Sequence, residues 1–180
     1  VTGLAGIVLA AGEGRRFGGP KAPFVYEGER LVDRAVRICQ DAGCDPVIVV
    51  LGAWIDDVPG AMVVINDAWP QGLASSLRAG LTAAMAEPGV DRVLVTLVDL
   101  PGMTAQALTR VAASAAPLAQ GCFGGESGHP VLLGREHWAG VIAMAQADRG
   151  ARDYLRAHAE LVELVEVGDV ASGVDLDLAP

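Results

Sequence analysis

The sequence predicts an α/β fold, a Rossmann-like open and mostly parallel sheet flanked by helices, and three observations carry that expectation. Near-continuous apolar runs at 4–9, 46–51 and 93–98 read as strands covered on both faces, the pattern of parallel sheets. Segments of helical period lie between them, so strand alternates with helix four times over and the crossovers are expected to be right-handed. A glycine-rich, cationic loop follows the first apolar run directly, at the carboxyl end of a strand, where open α/β sheets bind their ligands.

In chain order, the first strand (4–9) leads into the loop 9–21. A helix is predicted over 31–42, because Leu31, Val32, Ala35, Val36 and Ile38 recur at helical spacing and Gly43 stands where a terminator belongs. The second strand covers 46–51, a short third covers 62–65, and 73–86 is helical. The strand at 93–98 runs into Asp99-Leu100-Pro101, and Thr104 is placed to cap a helix reaching about 116. The second half is less regular. Short strands at 122–123 and 131–133 flank 124–130, which is expected to be an exposed, flexible loop because it is so rich in glycine. Helices are expected over 135–145 and 152–159. Leu and Val alternate with acids over 161–167, which marks an edge or half-exposed strand before an acidic tail.

A chain of 180 residues is expected to form a single domain, 1–180, around one core. A formal charge of −9 argues against nucleic acid as a partner, since counterion displacement needs a basic surface. No apolar run approaches the roughly 18 residues of a membrane helix. No charged segment followed by an apolar one opens the chain, so a cytoplasmic location with no membrane partner is expected. Cys39, Cys44 and Cys122 form no C-x-x-C pair and stand at no ligand spacing from a histidine, so buried thiols are expected rather than disulfides or zinc.

The loop 9–21 packs four glycines and three cations into thirteen residues. Glycines let backbone N–H groups approach an anion and cations neutralise it, so the segment reads as a phosphate cradle. A dinucleotide fingerprint fails at Phe17, where its third glycine would stand; a P-loop fails because Pro20 precedes Lys21 and Ala22 replaces the hydroxyl. The segment resembles the nucleotidyltransferase signature L-A-A-G-x-G-x-R-x-G-x-P-K, with one extra glycine before the proline. Within that superfamily it is most similar to the molybdenum cofactor cytidylyltransferases and related MobA-like enzymes. The resemblance implies a GT-A-like nucleotidyltransferase fold, nucleotide contacts from Leu9, Ala10, Ala11, Gly12 and Gly14, and catalytic roles for Arg16 and Lys21 on the β- and γ-phosphates. Lys21 is the sole lysine beside twelve arginines, which suggests a need for a compact, mobile ammonium.

Asp99 also stands at the carboxyl end of a strand, so a carboxylate and a phosphate cradle converge on one crevice. The acid and a phosphate held in that cradle would repel each other unless a divalent ion lay between them, and Mg²⁺ is the expected cofactor. In the resembled family a D-x-P at this place binds the metal, so Asp99 is assigned both a catalytic and a metal-binding role. Read alone, 66–77 is a turn and a capped helix start. Its likeness to N-x-x-W-x-x-G-x-x-x-S-L implies that Asn66, Ser75 and Ser76 line the base and ribose pocket. By the same resemblance, His129 in Gly128-His129-Pro130 and Arg152 in Asp148-Arg149-Gly150-Ala151-Arg152 contact the acceptor substrate, whereas His137 and His158 are structural. Asp175 and Asp177 resemble the family's terminal D-I-D-T-P, in which an aspartate completes the metal site. Here Leu178-Ala179-Pro180 follows, without the threonine, so Asp177 is the candidate metal ligand and a frayed acidic tail the alternative.

The resemblance implies transfer of a nucleoside monophosphate from an NTP to a phosphorylated acceptor of molybdopterin type, releasing pyrophosphate, with a molybdoenzyme or its chaperone as a further partner. CTP is the expected donor: Ala10-Ala11 stands where guanylyltransferase relatives have alanine then glycine, and the extra methyl would narrow the space for a purine. A guanylyl- or sugar-nucleotidyltransferase and a catalytically silent nucleotide-binding protein remain open. A third option, a dinucleotide-dependent oxidoreductase, would need Asp33 as its ribose acid, but Phe17 already spoils its fingerprint.

Overall fold

The computed structural model describes residues 3–178; Ala179 and Pro180, which end the tail motif, lie outside them. Its elements are β1 (Gly3–Leu9), a small antiparallel hairpin of β2 (Val25–Tyr26) and β3 (Glu29–Arg30), α1 (Leu31–Asp41), β4 (Val47–Leu51), β5 (Met62–Ile65), α2 (Leu73–Ala86), β6 (Val90–Leu97) and α3 (Ala105–Ala112). These are followed by β7 (Leu118–Phe123), β8 (Glu126–Gly134), α4 (Arg135–Met144), α5 (Arg152–Ala157) and β9 (Val162–Glu166). Seven strands form one sheet in the order β5-β4-β1-β6-β8-β7-β9. β8 is antiparallel to both of its neighbours and every other pairing is parallel, so the expected mostly parallel α/β sheet is observed.

The inner strands are apolar because they are covered on both faces. All five residues of β4 are buried, whereas the edge strand β5 exposes Met62 and Ile65, and the edge strand β9 exposes Leu164. One apolar cluster lies under α1 and α3, and a second under α2, α4 and α5, where Trp138 is fully buried and donates from Nε1 to the Leu133 carbonyl at 3.0 Å. Helix α1 stops as its sequence dictates. Gly43 takes a φ of +85°, its N–H reaches the Gln40 carbonyl at 2.9 Å, and the Cys44 N–H reaches the Cys39 carbonyl at 3.0 Å, a Schellman closure.

Four expectations are corrected. No helix joins β4 to β5: the connection 52–61, containing Pro59-Gly60, crosses directly, so the helical crossovers are α1, α2 and α3. Helix α3 begins at its Thr104 cap but ends at Ala112, because the Ser114 hydroxyl accepts from the Ala116 N–H and turns the chain before Pro117. The glycine-rich stretch is exposed over 124–127 as expected, but it is not a loop. Gly124 and Gly125, at φ +61° and +87°, make a two-residue hairpin turn, and 126–134 pairs with β7 as strand, so His129 is a strand residue. The tail, though largely exposed, is not frayed over its described residues either. Arg110 grips Asp169 with two nitrogens at 2.6 and 3.1 Å, Ser172 donates its N–H to Gly102, and Leu176 donates its N–H to the Asp99 carbonyl at 2.9 Å. All three cysteines are free and buried, and no described helix is long and apolar enough to cross a membrane.

Candidate active site

β1 and β6 are neighbours in the sheet and end side by side, which brings the cationic loop and Asp99 together. The base of the loop is tied down by hydrogen bonds from Ala10 N to Val50 O at 2.9 Å, from Ala53 N to Ala11 O at 3.0 Å and from Val98 N to Leu9 O at 3.2 Å. Its tip closes on Gly14, whose carbonyl accepts from the N–H groups of both Gly18 and Gly19. Gly14 sits at φ +61°, and a Cβ there would fall 1.9 Å from the Gly19 oxygen, so the turn requires glycine. Phe17, which spoils a dinucleotide fingerprint, packs edge-on against Phe24 with ring centres 4.9 Å apart.

Lys21 Nζ lies 2.8 Å from Asp99 Oδ2 and 3.9 Å from Asp177 Oδ1. The Lys21 and Asp99 side chains are 15% and 21% exposed, so the pair is partly shielded from water and its mutual attraction is stronger than at an open surface. The ammonium thus stands between two carboxylates from distant parts of the chain. Among the described residues no group of three or more His, Cys, Asp or Glu side chains could hold a metal unaided. Two hard carboxylates beside a phosphate cradle fit Mg²⁺ nonetheless, because that ion usually takes one or two protein carboxylates and completes its shell with water and substrate phosphate oxygens.

A cleft of about 470 Å³ opens over Lys21 and Asp99, bordered also by Ala11, Gly12, Gly14 and Ser76 among others, while Asp177 stands outside its lining. Leu9 and Ala10 also border it. Arg16 does not: its side chain is 78% exposed and reaches Asp177 at 3.2 Å, whereas Arg15, paired with Glu13, borders the cleft. Asn66 and Ser75 lie behind the wall. Asn66 Nδ2 donates to the hydroxyls of Ser75 and Ser76 at 2.9 and 3.0 Å, and the Ser75 hydroxyl lies 3.0 Å from the carbonyl of Ala68 and 2.8 Å from that of Gly72. Buried amide and hydroxyl groups must be paired, and these are spent on one another, so of the three predicted residues only Ser76 borders the cleft.

A second cleft of about 630 Å³ adjoins the first and contains both predicted acceptor residues, His129 and Arg152, with Gln120, Ser127, Arg149 and Arg156. His129 is half-buried in the wall of this cleft, and the burial pushes its pKa down to about 4; Asp99 opposes the shift and Arg152 reinforces it. His129 is therefore neutral near pH 7, able to donate one hydrogen bond and accept another. The linkage has a definite sign. In the unfolded chain the imidazole takes up its proton near pH 6.5, so the contribution of His129 to stability is complete above that value and is lost as pH falls towards 4. Urea unfolding at pH 7 and pH 4.5 is expected to show up to about 3 kcal/mol less pH-dependent loss in His129→Gln than in the parent.

Asp33 is held by Arg30 at 2.6 and 2.9 Å at the start of α1 and borders neither cleft. His137 Nδ1 meets the Tyr154 hydroxyl at 2.8 Å, and His158 stacks on Tyr154 with ring centres 4.1 Å apart, so both histidines are packing residues as expected. The sequence motifs contain Trp69 and Asp148, which border the first cleft, without assigning either a site role, and Arg156 at the second cleft lies outside every motif. The signal for Arg156 was present, since it lies one helical turn beyond Arg152 and therefore shares its face.

Residues 6–162 match the model of the MobA-like NTP transferase domain. This chain belongs to the MobA-like NTP transferase family. A nicotine blue oxidoreductase from Paenarthrobacter nicotinovorans is 33% identical over 97% of this chain and 92% of its own length. A molybdenum cofactor guanylyltransferase from Rhizobium leguminosarum bv. trifolii is 32% identical over 86% of this chain and 76% of its own. Among solved structures, a nucleotidyl transferase from Methanothermobacter superposes with a TM-score of 0.81 over 99% of this chain and 93% of its own, at 20% identity, a likeness of fold. In this MobA-like chain the loop that carries the family resemblance and the carboxylate after β6 meet at one point.

Proposed function

We propose that this chain, acting as one nucleotidyltransferase domain over 1–180, moves a nucleoside monophosphate from an NTP to a phosphorylated acceptor of molybdopterin type and releases pyrophosphate. The observation that carries the reading is the 2.8 Å contact of Lys21 with Asp99, which joins the phosphate cradle to the carboxylate at the floor of the cleft. The loop N–H groups around Gly12 and Gly14 hold the triphosphate, and Lys21 exchanges Asp99 for the β- and γ-phosphates. The acceptor phosphate, already ionised, attacks the α-phosphorus in line with departing pyrophosphate, so no general base is needed and positioning and charge neutralisation supply the rate. Asp99 and Asp177 would hold Mg²⁺, which when bound offsets the negative charge on the triphosphate and the leaving group. Arg16 serves at the rim, outside the cleft, by holding Asp177 in place. His129 and Arg152 receive the acceptor in the second cleft.

GTP replaces CTP as the favoured donor. The expectation of CTP rested on the Ala11 methyl, but Ala11 is only 4% exposed and belongs to the apolar cluster under α2, so its methyl serves packing more than base selection. The relative named a molybdenum cofactor guanylyltransferase points the same way. Incubation with molybdopterin and α-labelled GTP or CTP is expected to give label transfer and pyrophosphate release at least about tenfold faster with GTP, a difference of about 1.4 kcal/mol in barrier. Equal transfer from both, or faster transfer from CTP, would reverse this assignment.

A second reading comes from the relative named nicotine blue oxidoreductase, which this chain matches along nearly all of its length. On that reading the two adjoining clefts would take an electron donor and an oxidised dye-like acceptor instead. Asp33, the acid such a reading assigned to a ribose, is engaged elsewhere, which weighs against a dinucleotide site of Rossmann type. Oxidation of NADH or NADPH by the purified protein in the presence of a quinonoid dye, with no pyrophosphate formed from any NTP, would favour it.

A further inference from the structure

Three residues border both clefts, Leu9, Leu73 and Asp148, and of these Asp148 alone is charged. Its surroundings show what the charge holds. Helix α2 starts at Leu73, and Gly72 at its N-cap position has no side chain with which to close it. The Leu73 N–H instead donates to Asp148 Oδ1 at 3.3 Å, from a turn 75 residues away in sequence. The approach is close. Gly72 sits at φ +98°, and a Cβ there would lie 2.6 Å from Asp148 Oδ1 and 2.7 Å from the Ala147 carbonyl carbon. A second fastening lies one turn further along α2, where Arg78 Nη1 donates to the Ala145 carbonyl at 2.7 Å. Between the two fastenings Ala147 holds a φ of +47°, a left-handed conformation that residues other than glycine rarely adopt unless their surroundings impose it.

The two sides of this junction carry different duties. Gly72 and Ser76, at the start of α2, border the donor cleft; Arg149 and Arg152, just after Asp148, border the acceptor cleft. We propose that Asp148 is a positioning residue for transfer: it locks the start of α2 to the arginine-bearing turn, so that donor and acceptor are presented to each other in one register. The proposal rests on the function proposed above and assigns Asp148 no contact with the reacting atoms. It explains why a carboxylate is tolerated where two anionic substrates meet, because one of its oxygens is committed to a backbone donor.

The test compares Asp148→Ala, Asp148→Asn and Arg156→Ala in steady-state transfer. Asp148→Ala is expected to raise KM for donor and acceptor together, each about tenfold, the usual loss when a hydrogen bond to a charged group is removed. Asp148→Asn keeps an amide oxygen for the Leu73 N–H and is expected to restore both values to within about threefold of the parent. Arg156→Ala is expected to raise KM for the acceptor alone. A change in one KM only, no change, or an Asn variant as impaired as Ala would overturn the proposal, the last by showing that the charge itself is what substrate needs. Hydrogen exchange at the first turn of α2 needs no substrate. Faster exchange in Asp148→Ala with recovery in Asp148→Asn supports the lock, and unchanged exchange in Asp148→Ala overturns it. A parent protein inactive with every NTP would sink the functional reading, while the exchange measurement would still decide the role of Asp148.

Discussion

Lys21→Ala is expected to lower the transfer rate by more than about a hundredfold while the protein still folds, the loss typical of removing one electrostatic stabiliser from an active site. The side chain is partly shielded, it touches Asp99 at 2.8 Å, and it is the sole lysine of the chain. In the absence of nucleotide it neutralises Asp99 and stands 3.9 Å from Asp177, so its removal leaves two carboxylates facing each other across the position of one cation. Stability is expected to fall by about 1–3 kcal/mol, because the shielded Asp99 carboxylate loses its partner. Lys21→Arg should recover little activity. A guanidinium is planar and cannot replace a compact ammonium that moves from one set of oxygens to another. Transfer rates at saturating donor, together with thermal unfolding, check both statements; a Lys21→Ala protein turning over at near the parent rate would remove Lys21 from the mechanism.

Asp99→Ala is the second large effect, again expected to cost more than about a hundredfold in rate, and accompanied by a raised requirement for divalent ion. Asp99 owes its position to β6 and its setting to the tail, since its carbonyl receives the Leu176 N–H and its carboxylate receives Lys21. In the variant Lys21 still has Asp177 nearby, so the fold loses little while the pair of carboxylates suited to Mg²⁺ is halved. The two substitutions act on one cluster and should not add: the double variant is expected to be far less impaired than the product of the two single losses. Titrating Mg²⁺ against rate in the parent and in Asp99→Ala checks the metal assignment directly, since an unchanged Mg²⁺ dependence would reassign that carboxylate to structure.

Several features were legible from residue pattern because they depend on near neighbours. The continuous apolar runs at β1, β4 and β6, the glycine that ends α1 and the threonine that starts α3 are local signals, and all appear in place. So is the requirement for glycine at 14, where the chain folds back on itself within five residues. Errors arose where a local signal had two meanings. Glycine density over 124–130 suggested a loose loop, but two glycines with positive φ are also what a tight hairpin needs, and the strand that follows is held by pairing with β7. Asn66 and Ser75 carried the chemistry of a polar pocket, yet they face each other behind the wall, a matter of orientation that spacing cannot reveal.

The sequence by itself determined the sheet class and marked the glycine-rich cationic loop and the two side chains, Lys21 and Asp99, that meet at the first cleft. Tertiary structure alone decided that Arg16 stays at the rim, that the tail folds back to bring Asp177 to the ammonium, and that Asp148 joins two clefts. The physical reason is range. Backbone conformation and burial pattern follow from residues a few places apart, whereas a carboxylate meeting a cation 156 positions earlier, or closing a helix 75 positions earlier, depends on how sheet and helices pack.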